Sequence, residues 1–241
     1  MINTCERSGI TTKDVDIDQL EYLEARECDR YAIKDFLIEN FLHDEPNNRA
    51  TGLTEEEFEP IMNEIIDKAL AHPISTIVKY QGEIVAVQLN SLWKRSEKSY
   101  DSYSNTFAPA SVLARILDDC HNVFWSLVPD DVGTVVYREI GNVRRDFYRR
   151  GIGKRLIFEG LTPEKFEGLN IDGVASINTS IAQQTNLRKA GFTQLKEIPI
   201  SNYKDENDKP LYQTDDGTDR FVLNFMPKNK FLRLSEENNS H

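Results

Sequence analysis

Val143-Arg144-Arg145-Asp146-Phe147-Tyr148-Arg149-Arg150-Gly151-Ile152-Gly153-Lys154-Arg155-Leu156 stands between a strand-like apolar run and a helical pattern. From 144 to 155 it holds six basic residues against one acid, inside a chain whose net charge is −11. Two glycines let the backbone turn tightly, so that successive N–H groups point outward at a helix start. Those donors, with the positive end of the helix dipole, suit a bound phosphate group. A solvated basic loop with glycines for its turn is the plainer reading. Two common phosphate loops are excluded. A Walker loop needs glycine where Tyr148 stands and Ser or Thr where Arg155 stands, and a dinucleotide fingerprint needs a third glycine at Leu156.

Outward from this turn, Gly133–Val143 reads as a strand and Gly153–Phe166 as a helix with a break at Thr162-Pro163. Ile171–Asn178 is the next strand, and Ala182–Ala190 a short helix stopped by Gly191. Upstream, Leu20–Arg26 is a weak strand, and Asp29 caps a helix carrying Ile33, Phe36, Leu37 and Phe41. Thr54 and Glu57 form a capping box ahead of Ile61, Ile65, Ile66, Ala69 and Leu70, a stripe that Pro60 divides. Ile74–Tyr80 and Glu83–Trp93 flank Gln81-Gly82 as a hairpin. Lys94–Phe107 is a polar loop, and Pro109 opens a helix with Val112, Ile116, Cys120 and Phe124 on one face. Thr193–Ile198 and Arg220–Phe225 finish as strands joined by the hydrophilic loop Ser201–Asp219.

Paired strands with one βαβ unit imply a mixed rather than a parallel sheet. The 241 residues carry no repeat and no linker, so one domain over 19–228 is expected between polar tails at 1–18 and 229–241. A hydrophobic fraction of 39% with 10% aromatics excludes a disordered solvating chain. The acidic balance, 29 basic against 40 acidic residues, argues against a nucleic-acid coat or a polybasic membrane binder. It is compatible with a cationic small molecule, although most acidic proteins are merely soluble. Cys5, Cys28 and Cys120 have no metal-ligand spacing, and neither do His43, His72, His121 and His241, so no metal is expected. With no leader pattern and no apolar run near 18 residues, the expectation is a cytoplasmic monomer.

Tyr148-Arg149-Arg150-Gly151-Ile152-Gly153 resembles the Gln/Arg-x-x-Gly-x-Gly/Ala signature of the GNAT acyl-CoA N-acyltransferases, with Tyr148 in place of the first residue. Asn186-Leu187-Arg188-Lys189-Ala190-Gly191-Phe192 is similar to that superfamily's Asn…Gly-Phe helix end. Phe41-Leu42-His43-Asp44-Glu45-Pro46 followed by Gly52-Leu53 resembles the Asp-Glu-Pro segment of invertebrate-type arylalkylamine N-acetyltransferases, with Asn47 replacing a leucine. The resemblance spans about residues 20 to 226. It implies an α/β (α+β) single domain: a mixed, twisted sheet of about seven strands, with helices on both faces. It also implies a central strand pair splayed at a bulge, where acetyl-CoA inserts.

What the resemblance implies for single residues follows. Gly151, Ile152, Gly153 and Lys154 would hold the diphosphate of acetyl-CoA, with Arg149 or Arg150 supplying a cation, and Asn186 the pantetheine arm. A backbone N–H among Asn142, Val143 and Arg144 would meet the oxyanion. Glu45 would be the general base, since an alkylamine with a pKa of about 10 arrives protonated; partial burial is expected to raise its carboxyl. Pro46 ending the preceding helix is the plainer account of that segment. Where many relatives carry an acidic tyrosine this chain has Leu187, which leaves Thr179 and Ser180 as hydroxyls near the leaving thiolate or as caps of the next helix. Trp93, Tyr100, Tyr103 and Phe107 line an aryl pocket or pack the core, and Glu55-Glu56-Glu57 is favourable first-turn charge. The expected activity is acetyl transfer from acetyl-CoA to a small primary amine, an arylalkylamine, in a ternary complex. Alternatives are a polyamine or protein amino group as acceptor, and a silent acyl-CoA-binding module. A nucleic-acid role through Arg144–Arg155 ranks last, and no membrane partner is expected.

Overall fold

The computed structural model describes residues 15–97 and 109–239. Residues 1–14 of the expected first tail, with Cys5, lie outside the described residues, as do Tyr100, Tyr103, Phe107 and His241. Seven strands form one sheet in the order β1-β2-β3-β4-β5-β7-β6. They are β1 Glu21–Glu24, β2 Thr76–Tyr80, β3 Glu83–Lys94, β4 Thr134–Val143, β5 Gly173–Asn178, β6 Thr193–Pro199 and β7 Arg220–Pro227. β4 and β5 are parallel, and the other neighbours are antiparallel. The sheet is mixed, as expected, because the β4–β5 connection is the crossover of a βαβ unit.

β4 and β5 stay paired only from Val135↔Gly173 to Arg138↔Ser176. One residue later the β3–β4 register slips: Asn90 faces Arg138 and Leu89 faces Ile140, which leaves Glu139 as the extra residue of a bulge. A bulge bends its strand and sharpens the local twist. β4 therefore turns away from β5 after Arg138 and the two strands open as a fork. The expected splay is present.

The helices are α1 Arg30–Phe36, α2 Leu42–Asp44, α3 Pro46–Thr51, α4 Glu55–Leu70, α5 Pro109–Leu127, α6 Ile152–Arg155, α7 Pro163–Gly168, α8 Ile181–Lys189 and α9 Lys228–Asn239. A π-helical stretch, Leu37–Phe41, joins α1 to α2. On one face of the sheet α1 and α4 bury Ile33, Phe58, Met62 and Ile66 against Ile77, Val87, Leu89 and Ile140. α5 extends that layer with Val112, Ile116, Cys120 and Phe124. On the other face the 152–168 segment, α8 and α9 bury Ile157, Phe166, Leu187 and Phe231 against Val136, Val174 and Met226.

Four expectations change. α4 runs unbroken through Pro60, because the capping box of Thr54 and Glu57 starts it and Phe58, Met62, Ile66 and Ala69 hold it at helical spacing. The helix expected over Gly153–Phe166 is one turn, Ile152–Arg155; the chain reverses at Gly160, at φ 77°, and restarts at Pro163 with Thr162 as cap. The tail expected over 229–241 is instead helix α9 as far as Asn239. Phe231 is fully buried there, its ring 5.1 Å from Phe158 and 5.4 Å from Phe166. At the other end Val15 is buried in the cluster around Tyr80 and Phe147, so the ordered domain begins before residue 19.

Candidate active site

A cleft of about 680 Å³ enters the fork between β4 and β5. Its walls come from the 143–156 turn on one face of the sheet and from the α1–α3 segment on the other. Along β4 the amide of Arg144 donates to the Val85 carbonyl at 2.8 Å. Alternation then turns the N–H groups of Val143 and Gly141 toward the gap and those of Arg144 and Asn142 toward β3. The Arg144 guanidinium is held by Asp146 and Glu83. Of the expected oxyanion donors, Val143 therefore has the correct aspect; Arg144 does not.

At the turn, Arg149 and Gly151 take left-handed backbone, at φ 61° and 81°. The first helical bond is Arg155 N–H to Gly151 O, at 3.0 Å. Among the described residues nothing accepts from the amides of Gly151, Ile152, Gly153 and Lys154, and all four residues line the cleft. Arg149 and Asn186 line it too. Arg150 points elsewhere, its Nη1 reaching the Val15 carbonyl at 3.4 Å. Much of the remaining basic charge is paired, Arg145 with Asp44 and Arg155 with Glu159.

Deeper in the fork the walls are polar. Asn142 Oδ1 and Asn178 Nδ2 are buried and lack a hydrogen-bond partner among the described residues, and both residues border the cleft. Gln88 and Gln183 close over Gly141 so tightly that a Cβ there would stand 2.7 Å from Gln88 Oε1. Buried Arg138 donates to the carbonyls of Leu156 and Ile157, at 3.3 and 3.1 Å, and to Gln88 Oε1 at 2.5 Å. It ties the end of the phosphate-type turn to the sheet, and burial holds its pKa down to about 9.

On the opposite face Glu45 is 7% exposed and caps α3, with Pro46 at the first helical position. Its carboxylate accepts from Asn48 N–H at 2.7 Å, Asn47 Nδ2 at 2.8 Å and Thr179 Oγ1 at 2.9 Å. Burial raises its pKa, and these donors pull against the rise. Asn47 also donates to the Thr179 carbonyl and accepts from Tyr212 OH at 2.9 Å. Ser180 accepts from Gln183 N–H as the cap of α8. Leu187 is core. Trp93 stacks on Tyr137 at 3.6 Å within the α5 layer.

Sequence reasoning missed Glu139, Arg138, Asn178 and the bridging role of Asn47. A signal existed for the first two: Arg138-Glu139 puts consecutive charges inside the apolar run Val135–Ile140, which a regular strand does not tolerate. Among the described residues no cluster of three His, Cys, Asp or Glu is arranged to hold a metal, and no helix is long and apolar enough to cross a membrane.

No family model matches the sequence, and no curated protein matches it. Solved structures do. Arylalkylamine N-acetyltransferase 2 from Aedes aegypti superposes with a TM-score of 0.75 at 18% identity, covering 86% of this chain and 98% of that one. The polyamine N-acetyltransferase of Drosophila melanogaster, which forms N-acetylagmatine, gives 0.70 at 11% identity over 86% and 99%. The C-terminal condensation domain of Ebony, bound to beta-alanyl-dopamine, gives 0.67 at 13% over 86% and 98%.

Proposed function

We propose that this chain, which has the GNAT N-acyltransferase fold of those structures, transfers acetyl from acetyl-CoA to a small primary amine of the arylalkylamine class, by direct attack in a ternary complex. One observation carries the reading: β4 and β5 part beside a turn whose amides have no acceptor among the described residues, and the residues that carry those amides line the gap. The amides of Gly151–Lys154, with Arg149 and Lys154, suit a diphosphate. Asn186, which lines the cleft, suits an amide of a pantetheine arm. Thioester chemistry supplies an acyl carbon open to an amine. The N–H groups of Val143 and Gly141 are the candidates to meet the oxyanion, and Glu45 to take the proton released as the amine attacks. Thr179 orients Glu45 rather than protonating the thiolate, and Ser180 caps a helix.

A polyamine or protein amino group as acceptor is the second reading, favoured by the carboxylates of Asp44, Glu45, Glu139 and Asp216 along one cleft. Thiol release from acetyl-CoA against a panel of arylalkylamines, polyamines and peptide amines tests both. The expected result is turnover with at least one primary amine. Acetyl-CoA binding with no turnover on the whole panel would leave a silent binding module.

A further inference from the structure

Arg138 is a buried cation with no anion beside it. It is 5% exposed, and its guanidinium donates to neutral oxygens, the carbonyls of Leu156 and Ile157 and Gln88 Oε1. Among the described residues no carboxylate pairs with it, and burial alone holds its pKa down to about 9, so the side chain is charged at neutral pH. A guanidinium taken out of water is ordinarily held by a counter-ion. Its position is the base of the fork: Arg138↔Ser176 is the last pair that β4 and β5 make, and both residues border the cleft. Nη2 lies 2.5 Å from Gln88 Oε1, and that oxygen stands 2.7 Å from where a Cβ on Gly141 would be. Gly141 is one of the two residues whose N–H is turned to the gap. The acids that border the cleft are engaged elsewhere, Glu139 with Ser91 Oγ, Glu45 with its three donors, Asp44 with Arg145 and Asp216 with Thr218. The remaining cations of the cleft sit on the 143–156 turn or on α3.

We propose, on the transferase reading above, that Arg138 is the counter-charge of the leaving thiolate, so that sulfur departs as an anion and needs no proton from the chain. The amine attacks as the free base, having left one proton in solvent. Its lone pair forms the N–C bond, the C–S bond breaks with its electrons on sulfur, and the second proton of nitrogen passes to Glu45. The thiolate faces the guanidinium until it leaves and takes a proton from water, and Glu45 returns its own to solvent, so that one proton is set free per turnover. A cation already fixed in a site closed to water stabilises charge that develops there without reorganising. Gln88 and the two carbonyls supply that fixing. The same assignment accounts for the side chains around the fork, none of which is free to protonate sulfur among those the sequence singles out: Leu187 is core, Thr179 donates to Glu45 and Ser180 caps α8.

The test is a pH titration of the thiolate absorbance of enzyme-bound CoA, with S-methyl-CoA as the blank, for the wild type, Arg138→Lys, Arg138→Met and Gln88→Glu. In the wild type the bound thiol should ionise about two pH units below free CoA, the scale of an opposite charge within contact distance. Arg138→Lys keeps the charge and should keep about half of that drop. Arg138→Met removes the charge. Gln88→Glu leaves Arg138 in place and sets a carboxylate on Nη2 that cancels it. Either change should return the midpoint to that of free CoA and lower kcat about 100-fold, and whichever of the two folds decides the matter. An arginine that only braces the turn would leave the midpoint alike in every variant. A bound thiol that ionises as free CoA does in the wild type, or a midpoint that loss of the charge does not move, overturns this proposal and leaves the transferase reading standing. A wild type that binds no CoA overturns both.

Discussion

The two faces of the sheet at the fork are built in opposite ways. On one, a single continuous segment, 143–156, presents backbone amides and three basic residues, Arg145, Arg149 and Lys154, to the cleft. On the other, Glu45, Thr179, Asn47 and Tyr212 meet from three segments, the most distant hydrogen-bonded pair 165 residues apart. Main-chain donors at a turn depend on conformation, which glycine sets locally, so this face should tolerate Tyr148 where the signature it resembles has Gln or Arg. A carboxylate buried among side-chain donors depends on each partner, and one lost hydrogen bond leaves a buried polar group exposed to a low-dielectric interior. Cofactor grip should therefore be robust and divisible, and proton handling brittle and cooperative.

The largest effect expected is on the brittle face. Glu45→Gln should reduce kcat by about 100-fold or more while acetyl-CoA affinity stays within about twofold, since the change removes the proposed base and touches no part of the turn. The sign of the pH effect follows from burial. The carboxyl is raised above its ordinary value, activity needs the ionised form, and kcat of the wild type should fall as pH drops through the raised value. The acidic limb of kcat should vanish in the variant, which a pH series under saturating substrates measures.

A smaller effect separates two neighbours on the robust face. Arg149 lines the cleft and Arg150 turns to the Val15 carbonyl. Arg149→Ala should weaken acetyl-CoA binding by about tenfold, the scale of one charge-assisted contact, and Arg150→Ala by about twofold or less. Calorimetric titration with CoA reads both. Equal losses would make the face less divisible than its geometry implies.

The same contrast governs what the sequence could show. Gly151 and Gly153 announce their turn because the reason for them is local. The strands around Gln81-Gly82 and the α5 stripe are legible for the same reason. α9 was hidden because Phe231, Leu232 and Leu234 are the apolar residues of an otherwise charged segment, and its docking is decided by Phe158 and Phe166 far away. Burial of Glu45 was expected; its hold by Asn47, anchored in turn by Tyr212, has no local pattern to reveal it. Replacing Asn47 by leucine, the residue in the Asp-Glu-Pro segment it resembles, makes the point measurable. Asn47→Leu should remove one donor from Glu45 and shift the acidic limb of kcat up by roughly a unit. It should also destabilise the fold by about 2 kcal/mol, with Tyr212 OH left buried and unpaired.

The smallest effect divides two adjacent hydroxyls. Thr179 Oγ1 donates to Glu45 Oε1, so Thr179→Val removes a bond to the proposed base at nearly constant volume and should lower kcat several-fold while raising the acidic limb. Ser180 Oγ instead accepts from Gln183 N–H, at 3.4 Å, at the start of α8. Ser180→Ala should cost about 1 kcal/mol in denaturant unfolding, the ordinary loss of a helix cap, and leave kcat and its pH profile in place. The two variants differ by one position along the chain, yet one belongs to the proton-handling face and the other to the frame of α8. If Ser180→Ala lowered kcat as Thr179→Val does without any loss of stability, its hydroxyl would have to act on the leaving thiolate, and the partition drawn between these faces would fail at their junction.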